Sequence, residues 1–196
     1  QVARLLSLAQ PKQGLIKGDK GYKFLDDKLY ENRTFADTKV PLRIVATNLG
    51  GGTEKIFDSG PLITAVQASS SVPGLLPPVK IDDRYYIDGG VINPTPVDIA
   101  KNEGMDIVIG VDLIMKKDMK MENPNIVTTL LQAYEIIRTE GTKHKLATTG
   151  NNIIMIEPEI RGTVESFKFN KMGEFIDSGT DAALKKLPEI KKAIGV

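Results

Sequence analysis

The chain has 196 residues, 41% of them hydrophobic, which is enough for one domain with a core of its own. Its 26 basic and 25 acidic residues leave a net charge of +1, so no strong field recommends nucleic acid or an anionic membrane as the main partner. The absence of cysteine rules out a disulfide-dense scaffold and thiolate-held metal, and no apolar stretch approaches the roughly 18 residues that span a bilayer.

Val2-Ala3-Arg4-Leu5-Leu6-Ser7-Leu8 reads as the tail of an amphipathic helix and lacks the pattern of a signal peptide, so the chain is expected to be the C-terminal part of a longer domain. Residues 10–40 carry Pro11, Gly14, Gly18 and Gly21 among many charges and predict surface loop with a short helix over 24–30. The run 40–49 is β-branched and apolar enough for a buried strand, bounded by Pro41 and by Gly50-Gly51-Gly52. These glycines predict a hairpin turn. A phosphate loop would need a helix directly afterwards and, in the Walker form, a Gly-Lys-Ser/Thr ending that is missing.

Asp58-Ser59-Gly60-Pro61 signals a helix start, with Leu62, Ala65, Val66 and Ser69 on one face and Ser69-Ser70-Ser71 at its end. The segment 75–79 is apolar but too proline-rich to be regular, and it is read as core packing in preference to a membrane-touching surface. Asp82-Asp83 predicts a turn between strands at 79–81 and 85–87.

The strand 85–87 delivers Asp88 onto Gly89 and Gly90, glycines expected to let the backbone bend through positive φ and to leave room for a reacting group. Asn93 reads as an N-cap with Pro94 at the first helical position, opening a helix over 94–103 that Gly104 closes. The nearly continuous apolar run 105–113 predicts a parallel strand covered on both faces. A basic, Met-rich linker at 115–121 leads to Asn123-Pro124, a second cap pair, and a long helix with Ile126, Leu130, Leu131, Tyr134 and Ile137 on one side. A break at 148–152, a strand at 152–157 and helices over 171–184 and 188–194, interrupted near Gly179, complete the chain. Strands alternating with helices predict an α/β fold, with a mostly parallel sheet flanked by helices.

Serine hydrolase chemistry needs a nucleophilic hydroxyl, a base and donors for the oxyanion. Asp88 is a candidate base, but the nucleophile elbow Gly-x-Ser-x-Gly does not occur in these residues. Ser69, Ser70 and Ser71 lack flanking glycines and are read as packing or capping residues at a helix end. His144, the single histidine, lies between Lys143 and Lys145 on a predicted helix and is read as solvated. Oxygen ligands at Asp82, Asp83, Asp88, Asp106 or Asp112 follow no calcium-loop spacing, so no metal is expected.

The order of these features resembles the patatin-like phospholipases, bacterial members especially. Pro41-Leu42-Arg43-Ile44-Val45-Ala46-Thr47-Asn48-Leu49 is similar to the family strand before a glycine-containing hairpin. Residues 65–79, from Ala65-Val66-Gln67-Ala68-Ser69 through Pro73-Gly74 to Pro77-Pro78, resemble the family's Ala-x-x-Ala-Ser-x-x-x-Pro-Gly-x-x-Pro-Pro segment. Tyr86-Ile87-Asp88-Gly89-Gly90-Val91-Ile92-Asn93-Pro94 resembles its Asp-Gly-Gly/Ala motif.

The resemblance implies a three-layer patatin-like domain, here incomplete, of which 1–196 would be the C-terminal part. It implies a lipid acyl hydrolase with a Ser-Asp dyad: Asp88 as base, Gly89 and Gly90 shaping its turn, no histidine and no cofactor. The serine elbow and the glycine-rich oxyanion segment are expected upstream of residue 1, which makes that N-terminal segment the partner of this one and leaves this chain alone inactive. The expected substrate is a lipid or other ester, met in the cytoplasm or peripherally at a membrane surface, with no nucleic acid partner. The alternative from another class is a non-catalytic interaction or regulatory module that keeps the fold without the nucleophile.

Overall fold

The computed structural model describes residues 18–113, 123, 125–159 and 172–196. The helix tail expected at 2–8, the linker 115–121 and Pro124 lie outside the described residues. The chain divides into two compact units, 1–93 and 94–196.

In the first unit, helix α1 (Asp19–Leu25) runs into a π-helical turn (Asp26–Tyr30), so the short helix predicted over 24–30 begins earlier. The apolar run that follows yields β1 (Ile44–Asn48), whose three central residues are buried, and β2 (Thr53–Phe57). The glycine-rich link between them is a hairpin turn: Asn48 pairs with Thr53, and Gly52 adopts a left-handed φ of 59° while its N–H donates to the Asn48 carbonyl at 2.9 Å. Helix α2 (Leu62–Ser69) starts after Pro61 and buries Leu62, Ala65 and Ala68, small residues among them letting it lie close to the sheet. Strands β3 (Val79–Ile81) and β4 (Arg84–Asp88) form the second hairpin, with Asp82 at φ 53° in its two-residue turn.

The sheet order is β2-β1-β4-β3, and every neighbouring pair is antiparallel. The fold is α/β as the element pattern predicts, but this sheet is not parallel. Two of its three pairings are hairpins, and a link of two to four residues joins only antiparallel neighbours. Its apolar interior has two adjoining clusters. Phe35, Leu62 and Ala65 pack with Tyr30, Leu42, Ile44 and Phe57, while Ala46, Ala68 and Tyr86 pack with Phe57, Val79 and Ile81. Phe57 meets Tyr86 edge to face at 5.8 Å, which couples β2 to β4 across β1. Val79 thus belongs to the core, and 75–79 is half-buried throughout.

The second unit holds α3 (Val97–Asn102), β5 (Val108–Val111), α4 (Ile126–Thr149), β6 (Ile153–Ile156) and α5 (Met172–Ile194). β5 and β6 pair in parallel, with α4 in the connection between them. Asn125 caps α4: its side chain accepts from the Thr128 N–H at 3.0 Å and the Thr128 hydroxyl accepts from the Asn125 N–H at 2.9 Å.

Three expectations change here. β5 is covered on one face only, since Val108 and Gly110 are buried while Ile109 and Val111 are exposed. Gly179 does not interrupt α5, which continues through Pro188. Gly104 does take the left-handed conformation, at φ 89°, just past α3; α3 itself is shorter at its start than predicted.

Gly110 illustrates how tightly β5 meets its cover. A Cβ built there would stand 2.5 Å from the Met155 sulfur and 2.8 Å from Val97 Cγ1. Methionine can swing away, but the β-branched Val97 is stiff. Gly110→Ala is therefore expected to destabilise the protein by about 1–3 kcal/mol, read as a lower urea midpoint at unchanged slope.

Candidate active site

Asp88 is the last residue of β4 and pairs with Ala46 on the central strand β1. Three of its hydrogen bonds hold it in place. Its backbone N–H donates to the Ser71 carbonyl at 3.0 Å, its carbonyl accepts from the Thr47 hydroxyl at 2.9 Å, and Oδ1 of its carboxylate accepts from the Gly90 N–H at 2.7 Å. The last bond caps a single 3-10 turn, Gly89–Val91, and is charge-assisted when the acid is ionised. The carboxylate is half-buried, held by backbone on a rigid sheet.

Neither glycine of the turn adopts positive φ, which corrects the conformational reason given for them. Gly89 is needed for proximity instead. A Cβ there would lie 2.7 Å from the carbonyl carbon of Val45 and closer still to its oxygen. Gly90 is buried and supplies the donor to the acid.

Asn93 is not a helix cap. It is 2% exposed, and its side-chain amide donates to Glu54 on β2 at 2.7 Å, while its backbone N–H donates to the Gly89 carbonyl at 2.8 Å. The pair locks the exit of the Asp88 turn onto the first hairpin. α3 begins only after Pro96, because the residue before a proline avoids the helical region and this applies to both Asn93 and Thr95.

The serines at the end of α2 serve structure. The Ser70 hydroxyl donates to the Val66 carbonyl at 2.6 Å and the Ser71 hydroxyl to that of Gln67 at 2.7 Å, and Ser71 is 1% exposed. A hydroxyl whose one proton is committed to the preceding turn is not poised for attack on a substrate. His144 is exposed on α4. Among the described residues no three acidic or histidine side chains converge on a metal-sized site, and Asp82, Asp83 and Asp106 are exposed separately. A cavity of about 840 Å³ between β6 and α5 is lined by Glu157, Glu159, Glu174, Asp177 and Asp181 among others, and includes no residue of the Asp88 turn.

Sequence reasoning missed Thr47, Glu54 and Tyr22. The Tyr22 hydroxyl, from α1, lies 2.9 Å from Ser70 Oγ. Burial pushes the phenol above its ordinary pKa, the hydroxyls of Ser70 and Ser71 oppose that shift, and the Asp88 charge adds to it. Thr47 carried a faint signal as a hydroxyl inside a strand that is otherwise apolar at its centre. Tyr22 carried none, since its partner is 48 residues away.

Comparison with known proteins gives this geometry its context. The family model described as patatin-like phospholipase matches residues 3–101, just over half of the chain. An uncharacterized NTE family protein of Mycobacterium tuberculosis is 30% identical over 112 residues, covering 57% of this chain and 31% of that protein. Patatin-like phospholipase domain-containing protein 7 of Rattus norvegicus is 27% identical over 124 residues, 62% of this chain and 9% of that protein. Patatin-like phospholipase domain-containing protein 6 of Mus musculus is 28% identical over 111 residues, 56% of this chain and 8% of that protein. The chain thus spans about a third of the mycobacterial relative and less than a tenth of the mammalian ones. The matched region holds the whole Asp88 turn together with β1 and α2 that fix it, and on that match the chain belongs to the patatin-like phospholipase family.

Proposed function

We propose that this chain supplies the general base of a lipid acyl hydrolase, with Asp88 acting on a serine that lies upstream of residue 1 in the same domain. The observation that carries the reading is the carboxylate held at 2.7 Å by the Gly90 N–H on a backbone tied to both Ser71 and Thr47. An acid fixed in this way loses little reorganisation energy when it takes a proton.

In the first half-reaction the serine oxygen adds to the ester carbonyl while Asp88 takes its proton. The acid returns that proton to the departing alcohol oxygen as the ester bond breaks. In the second half Asp88 takes a proton from water, whose oxygen attacks the acyl-enzyme, and the proton passes to the serine as the fatty acid leaves. Two side chains suffice, so an exposed His144 is no obstacle to the chemistry.

A serine-directed fluorophosphonate tests the reading. In the full-length protein it is expected to modify one serine, inside a Gly-x-Ser-x-Gly upstream of this segment, and to abolish ester turnover; the 196 residues alone are expected to remain unlabelled and inactive. Labelling at Ser70 or Ser71 would overturn the assignment. Absence of both labelling and turnover in the full-length protein would favour a non-catalytic module.

A further inference from the structure

The end of α2 is held from two sides. On one side the Asp88 N–H donates to the Ser71 carbonyl at 3.0 Å. On the other the Tyr22 hydroxyl lies 2.9 Å from Ser70 Oγ, and the direction of that bond is fixed by what Ser70 does elsewhere. The Ser70 hydroxyl has one proton and gives it to the Val66 carbonyl at 2.6 Å, so while the phenol is protonated it is the donor and Ser70 the acceptor. A chain of contacts therefore runs from α1 through the Tyr22 phenol to Ser70, across one peptide bond to Ser71, and from its carbonyl to the backbone of Asp88.

We propose that Tyr22 is a positioning residue for Asp88, its phenol holding the Ser70-Ser71 corner that in turn holds the backbone of the base. This rests on Asp88 being the base. The Tyr22 ring lies against Gly18, where an added Cβ would stand 2.9 Å from its Cε2 and 3.0 Å from Leu76 Cδ2. Ring and hydroxyl thus have separable tasks: the ring packs and the hydroxyl holds. The Asp88 carboxylate opposes ionisation of the phenol in the same direction as burial does, by the smaller effect of the two.

Two measurements on the full-length protein test this. With tyrosines labelled with ¹³C at Cζ and the Tyr22 resonance assigned by its loss in Tyr22→Phe, the phenol titration is expected to move to lower pH in Asp88→Asn, because a negative charge that opposes tyrosinate has been removed. An unchanged or raised midpoint would place the phenol beyond the influence of the Asp88 carboxylate and overturn the proposed role. In hydrolysis of a short-chain p-nitrophenyl ester, Tyr22→Phe is expected to lower kcat roughly 10-fold with KM within about twofold, since the base is displaced and the substrate site is not. Ser70→Ala, which removes the acceptor and leaves the ring in place, is expected to reproduce that loss. Full kcat in both variants, or a loss seen only in KM, would remove Tyr22 from the machinery. The two readings fail separately: turnover retained in Asp88→Asn removes the base and this role with it, whereas an inactive Asp88→Asn beside a fully active Tyr22→Phe removes Tyr22 alone.

Discussion

Asp88→Asn is expected to lower ester turnover by the full-length protein roughly 10²- to 10⁴-fold, the range that a positioned general base contributes, while leaving stability almost unchanged. The amide is nearly isosteric with the acid and keeps an oxygen able to accept from the Gly90 N–H. The bonds to Ser71 and from Thr47 involve only the backbone of Asp88 and survive the substitution. What disappears is an oxygen basic enough to accept a proton from a serine hydroxyl. The measurement is kcat/KM alongside a urea unfolding curve, with the loss expected in kcat. Turnover within a few-fold of the parent protein would take Asp88 out of the mechanism.

Gly89→Ala is expected to act on the fold, at about 3 kcal/mol, the upper end of the range for overpacking a well-packed site. The added methyl would sit 2.7 Å from the Val45 carbonyl carbon and 3.3 Å from the Ala46 nitrogen, both backbone atoms. Backbone on β1 has little freedom to retreat because the strand is paired on one edge with β2 and on the other with β4. The strain is steric and owes nothing to dihedral preference, since Gly89 is outside the left-handed region. A lower urea midpoint is the expected readout, accompanied by loss of turnover as the acid is pushed off its strand. A change below about 0.5 kcal/mol, typical of an unconstrained surface site, would show that the turn is not wedged against β1.

The elements that were legible in the sequence are those whose cause is local. Alternating and β-branched apolar runs located β1, β4, β5 and β6, and the glycine triplet and Asp82-Asp83 located both hairpin turns. The position of Asp88 at the end of its strand was legible for the same reason. The direction of the four-stranded sheet was less so, because alternation of strands with helices suggests parallel pairing and the β1–β4 partnership is written in no single segment. Asn93 misled because an Asn-Pro pair has the chemistry of a cap, yet its amide found a carboxylate 39 residues away and two prolines delayed the helix. Pro188 and Gly179 suggested breaks in α5; each weakens a helix by an amount that its other residues can offset. At the candidate site, the acid and its two glycines could be read in the sequence, whereas the Tyr22, Ser71 and Thr47 contacts depend on chain segments brought together only by folding.

The strand order also bears on when the acid comes into being. Both hairpins close over short loops, but Thr47 and Asp88 meet across 41 residues, the costlier closure in chain entropy. A partly folded form that retains both hairpins and lacks this long-range seam would keep most of the β structure of this sheet while leaving the Asp88 backbone without its bond from Thr47. With Asp88 as the base proposed above, recovery of turnover by the full-length protein during refolding is expected to await the joining of the two hairpins and to lag behind the return of secondary structure.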